Sequence, residues 1–217
     1  YPFRQESNFW YLTGFDEPDA IALFLSHKPI GERYILFVHP KNIESEVWHG
    51  FRWGINGAET VFKADKSHPI SQFEKELPKY LMGADEIVFS VGKYPEIESM
   101  VLNFWEKQID NYPRIGKAPR AIQPLEMYLN QMRLIKSKYE IERMREAAVI
   151  SAEAHELVRF NIGHKKNERQ IQGLLEGFFL EKRTRGSAYN PIVASGDNAC
   201  VLHYTANNSE LKKGDLL

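Results

Sequence analysis

Three observations predict an α/β fold for this chain. Short apolar runs bounded by turn residues alternate with stretches of helical spacing across the first half. The apolar share is 43% and the aromatic share 12%, enough to fill a core. After residue 124 the pattern changes to two amphipathic stretches followed by a polar turn and a short apolar strand. At 217 residues the chain has room for one large domain or two modest ones.

Ala20 to Leu25 and Tyr34 to Val38 are the first two predicted strands. His27-Lys28-Pro29-Ile30-Gly31 between them suits a hairpin-like connection. Gln72 to Met82 predicts a helix that Pro78 should kink or end early. Glu86 to Val91 predicts a strand. Ile97, Met100, Val101, Phe104 and Trp105 then recur at helical spacing. Pro113, Gly116, Pro119 and Pro124 make residues 112–124 the best linker candidate, which predicts domains 1–124 and 125–217.

Ser137-Lys138-Tyr139-Glu140 is a capping box and should start a helix running to about Phe160. Ile141, Met144, Ala148, Ala152 and His155 share one of its faces, so His155 reads as a histidine packed in or near the core. Asn161-Ile162-Gly163 supplies the stop. Asn167 caps a second helix with an apolar stripe of Ile171, Leu174, Leu175, Phe178 and Phe179, ended by Arg185-Gly186. Cys200-Val201-Leu202 predicts a short strand that delivers His203 to a polar turn, Ala206 to Ser209. Gly214-Asp215 followed by Leu216-Leu217 reads as a turn opening a further strand, so the chain reads as a fragment whose partners lie beyond Leu217.

Several function classes find no support. Twenty-eight basic against 29 acidic side chains leave a net charge of -1, no footprint for a nucleic-acid backbone. The basic clusters at 164–166 and 182–185 read as solvated helix ends. No run approaches the ~20 apolar residues of a membrane span. Cys200 is the single cysteine, which suits a reducing compartment and a cytoplasmic location. No glycine-rich nucleotide loop and no nucleophile elbow occur. His155-Glu156 lacks the second histidine of a zinc-protease helix.

His203 stands apart. A histidine where a buried strand meets a polar loop can point into a cleft, donate to a developing oxyanion or move a proton. The plainer alternative is a histidine that only hydrogen-bonds the backbone. Trp48 sits on a polar, Gly-bounded segment and on residue pattern alone reads as packed on its own domain.

Residues 188–196 (AYNPIVASG), 198–205 (NACVLHYT) and 214–217 (GDLL) resemble the first catalytic stretch of the Xaa-Pro aminopeptidases, within the creatinase and prolidase superfamily. Phe3-Arg4-Gln5, residues 7–15 (SNFWYLTGF) and Glu17-Pro18 resemble that family's amino-terminal signature, and residues 132–137 with Glu140-Ile141 its entry into the catalytic domain. The resemblance spans nearly the whole chain, in order. It implies a creatinase-like mixed-sheet domain followed by the first half of an α+β pita-bread catalytic domain. It implies a hydrolase that releases the first residue from peptides with proline second, using two divalent ions, usually manganese. The metal ligands it implies are two aspartates, a histidine and two glutamates, all after Leu217, so residues 1–217 alone should be inactive; Asp197 and Asp215 match none of them. His203 matches the family's substrate-contacting histidine, a catalytic residue. Trp48 matches a loop that can reach a neighbouring subunit's active site, which makes it a substrate-binding candidate and implies a dimer or tetramer. A proline-containing peptide is the implied partner, with no nucleic acid and no membrane. Prolidase, and a pita-bread protein that binds without catalysis, are the rival readings.

Overall fold

Tyr34–Val38 (β2) is the strand on which the first part of the molecule is built. It is buried on both faces, which is why its sequence, Tyr-Ile-Leu-Phe-Val, is apolar throughout rather than alternating. The computed structural model describes residues 3–217, which divide into two units between Leu134 and Ile135.

In the first unit a short helix, Ser7–Thr13 (α1), ends at Gly14, whose φ of 66° is the left-handed cap that glycine adopts without strain. Ile21–Phe24 (β1) pairs antiparallel with β2, closing the predicted hairpin. Helices Ile43–His49 (α2) and Gly54–Thr60 (α3) carry the chain back to Lys66–Pro69 (β3), parallel to β2. A parallel pair needs such a crossover. Phe73–Leu81 (α4) runs through Pro78 and stops three residues later, at a proline-weakened turn. Glu86–Phe89 (β4) and Ala121–Pro124 (β5) form a second, parallel pair around the long helix Pro95–Ile115 (α5). Leu125–Leu134 (α6) closes the unit.

The two faces of β2 feed two cores. Ile35 and Phe37 pack with Leu25, Phe73, Leu77, Leu81, Ile87, Val101 and Phe104. Leu36 and Val38 pack with Phe15, Ala58 and Ala64. Phe37 meets Phe73 edge to face, with centroids 5.1 Å apart, the favoured aromatic geometry. All four tryptophans, Trp10, Trp48, Trp53 and Trp105, lie in this unit.

The linker expected at 112–124 is not a linker. Its first residues end α5 and its last form β5, whose ladder with β4 ties it to the first unit. The parting therefore falls after α6, whose Leu129 is buried in the first unit, and not at 124. Proline fits β5 because β5 is an edge strand of a two-stranded sheet, where one side of the backbone goes unpaired.

In the second unit, Lys138–Asn161 (α7) begins at the predicted capping box: Ser137 Oγ accepts from the Glu140 amide at 3.3 Å, and the Ser137 amide donates to Glu140 Oε2 at 2.7 Å. Glu168–Glu181 (α8) begins at Asn167, whose Oδ1 accepts from the Arg169 amide at 2.9 Å. α7 packs on α8 through Ala154, the buried residue of α7. The face expected to be buried, Ile141, Met144, Ala148, Ala152 and His155, is instead exposed. The Ala154 side faces α8, with Ile150, Leu157 and Val158 half-buried, so the positions of the expected face find no cover within the unit. His155 is not a core histidine; its Nδ1 lies 2.7 Å from the Ser151 carbonyl on the helix surface.

Candidate functional site

The first turn of α8 grips the irregular chain from 191 to 211. Asn167 Nδ2 donates to the Asn208 carbonyl (2.8 Å) and Arg169 to the Ala206 carbonyl (2.7 Å). The Glu168 amide donates to the Ser209 carbonyl at 3.0 Å, and the Leu211 amide to the Lys166 carbonyl at 2.9 Å. Asn207, buried with φ 45°, closes the far side. Its Oδ1 accepts from the Val193 amide (3.0 Å), and its Nδ2 donates to the Pro191 carbonyl (2.8 Å) and to Gln172 Oε1 (3.1 Å).

Glu168 is the centre of this grip. Its side chain is fully buried. Oε1 accepts from the Ser195 amide (2.8 Å), Ser195 Oγ (2.9 Å) and Asn198 Nδ2 (3.2 Å). Oε2 accepts from Tyr204 Oη (2.7 Å) and the Ser209 amide (2.9 Å). Burial alone pushes this carboxyl's pKa up, but the donors from Ser209, Tyr204, Ser195 and Asn198 outweigh it and hold the pKa down at about 2. The positive end of the helix dipole favours the same charge. No cation is among the five donor atoms, so neutral hydrogen bonds hold the ion in place.

His203 lies inside the gripped segment. Gly196–Cys200 is a turn of 3-10 helix, and the Tyr204 amide closes the next turn on the Val201 carbonyl at 3.2 Å. The strand expected at Cys200-Val201-Leu202 is absent here. A strand needs a neighbour for its amides and carbonyls, and the described residues of this unit form no ladder beyond the single bridge of Asn167 with Glu210. Val201, Leu202 and His203 are exposed, while Tyr204 beside them is half-buried with its hydroxyl on Glu168. Leu216 and Leu217 likewise lie outside any strand, although the Gly196 amide donates to the Leu216 carbonyl at 3.0 Å. Gly196 has φ 54°, a conformation that favours glycine, and a Cβ there would stand 2.9 Å from Asp215 Oδ2, which would have to move aside.

Trp48, in the first unit, is 84% exposed on α2. Asn42 caps that helix, accepting from the Ser45 amide at 3.1 Å. Ile43, Val47 and Phe51 are exposed around it, so the reading of a tryptophan packed on its own domain does not hold. His203 and Trp48 belong to different units. Among the described residues no three His, Cys, Asp or Glu side chains gather into a group that could hold a metal ion. Among them, too, no helix is long and apolar enough to cross a membrane.

Glu168 was not singled out by the motif reading, yet its position carried a signal. Counting forward along α8, 168, 171, 175 and 178 share one face, and a carboxylate on an otherwise apolar stripe demands a polar partner.

The family model described as "Aminopeptidase P, N-terminal domain" matches residues 1–89, and that described as "Metallopeptidase family M24" matches residues 142–217. A Xaa-Pro aminopeptidase of Escherichia coli is 32% identical over the whole chain, and one of Haemophilus influenzae is 35% identical. The chain spans about half the length of these curated relatives, 49% and 48%. The solved structure of an aminopeptidase from Pseudomonas aeruginosa superposes with a TM-score of 0.89 at 32% identity, over 99% of this chain and 48% of that one.

Proposed function

Since the chain carries an aminopeptidase P amino-terminal domain followed by metallopeptidase family M24 sequence, we propose that the protein is a Xaa-Pro aminopeptidase. It removes the first residue from peptides whose second residue is proline. The observation that carries this reading is the position of His203: exposed on a turn, inside a segment anchored on both sides of it, within the M24 match.

The bond before proline is a tertiary amide. Proline offers no N–H to an extended-chain binding site, so recognition has to come from shape and from the carbonyl side. The His203 ring can donate an N–H to the carbonyl oxygen as that oxygen gathers negative charge, and release it when the charge collapses. Two divalent ions, manganese in our reading, supply an acidified water when bound. In this reading the part played by His203 and its neighbours lies on the substrate side. Trp48 and its apolar neighbours Ile43, Val47 and Phe51 suit a contact with a second copy. We extend the proposal to a dimer or tetramer in which Trp48 touches substrate held by the neighbouring subunit. A cytoplasmic location is part of the same reading, consistent with one exposed, unpaired cysteine.

The test is a peptide-length series on the full-length protein. Turnover of Xaa-Pro tripeptides and longer peptides is expected. Turnover of Xaa-Pro dipeptides alone would make it a prolidase, and no turnover with manganese present would make it a binding protein. His203→Ala should lower kcat by about 10²–10³, the loss of one oxyanion donor, with metal content unchanged. Loss of the metal in that variant would make His203 a ligand instead.

A further inference from the structure

We propose that Glu168 is a positioning residue: its buried carboxylate pins the segment that carries His203 on both sides and, through the Tyr204 hydroxyl, sets where the histidine stands. The inference rests on the reading of His203 as the substrate-facing group.

The argument starts from what holds this segment. Between Val193 and Ser209 there is no paired strand, and the regular structure is one 3-10 turn, Gly196–Cys200. Backbone ladders therefore do not fix it. The carboxylate takes their place, with anchor points at Ser195, Asn198, Tyr204 and Ser209. His203 is adjacent to one anchor, and the turn that presents it is closed by the amide of that same residue, Tyr204. The Tyr204 hydroxyl gives its short bond, 2.7 Å, to Glu168 and lies at a longer 3.3 Å from Ser209 Oγ.

A buried ion is a costly way to hold a loop. An apolar residue at this stripe position would pack at less desolvation cost, but it would fix no geometry. A carboxylate with five directed donors does. It specifies distance and angle for each anchor, and a loop holding a reacting group needs that definition, since displacements near 1 Å are worth large factors in rate.

The test is a double-mutant cycle on the full-length enzyme. Tyr204→Phe removes one hydroxyl and leaves the other anchors. It should lower kcat about 10-fold with KM changed less than about 2-fold. In a His203→Ala background the same substitution should change kcat by less than about 2-fold, because no histidine remains to be positioned. Equal losses in the two backgrounds, or an undiminished single variant, would overturn the positioning role. An undiminished His203→Ala enzyme would instead overturn the reading of His203 itself. Amide hydrogen exchange gives a second measurement, independent of turnover. Exchange at the bonded amides of Val201 and Tyr204 should quicken at least about tenfold in Tyr204→Phe while α7 keeps its protection; unchanged exchange there would also overturn the proposal. Glu168→Gln, which keeps the shape and loses the charge, should show the same two signatures more strongly.

Discussion

The two units hold their defining segments by opposite means. β2 is fixed by burying apolar side chains on both faces, with a hydrogen-bonded neighbour on each side. The His203 segment is fixed by one buried anion and the donors around it. Apolar burial is non-directional and tolerates small shifts. A carboxylate hub is directional and depends on charge. The first therefore suits a scaffold, and the second suits a loop that has to present one group in one place.

Four outcomes would break or sharpen this contrast. The largest is expected for Phe37→Ala, which empties the meeting point of β2 and α4. It should cost about 3–5 kcal/mol in denaturant unfolding, with little dependence on pH. Acid should do the reverse. The Glu168 carboxyl sits at about 2 in the folded chain against a reference value of 4.5, so its contribution to stability is complete above 4.5 and is lost as pH falls from there towards 2. Wild-type loss over that window should shrink in Glu168→Gln; an identical acid profile would remove the hub from the account. Gly196→Ala should cost about 1–2 kcal/mol, because φ 54° is strained for alanine and Asp215 occupies the space. Trp48→Ser should change unfolding stability by less than about 0.5 kcal/mol, since the side chain stands in solvent, yet raise KM if Trp48 meets substrate.

How much of this was legible in sequence follows the same divide. β2 was read with its observed bounds because burial on both faces writes an unbroken apolar run. The capping box and the Asn167 cap were legible because each is a local hydrogen-bond motif. β3, Lys-Ser-His-Pro, carries no apolar alternation; it is an edge strand recruited by its neighbour β2. β5 was hidden by Pro124 and by the prolines ahead of it, which suggested a linker until the pairing with β4 showed otherwise. At Cys200-Val201-Leu202 the local pattern promised a strand, but strands are made by partners, and the described residues supply none. The site divides likewise. His203 was singled out by its motif and Trp48 by the same resemblance, and the roles of both belong to the proposal. Glu168 was not singled out, because its meaning lies in donors 27 to 41 residues away in sequence.

The clustering of all four indoles in the first unit has a practical side. Within these 217 residues, tryptophan emission follows the melting of one unit and is blind to the other. A Phe37→Ala transition would be bright in a fluorimeter. Acid release of the Glu168 grip would pass there unseen, and would need circular dichroism or tyrosine absorbance to be caught. Disagreement between those two optical signals would itself measure how independently the units come apart.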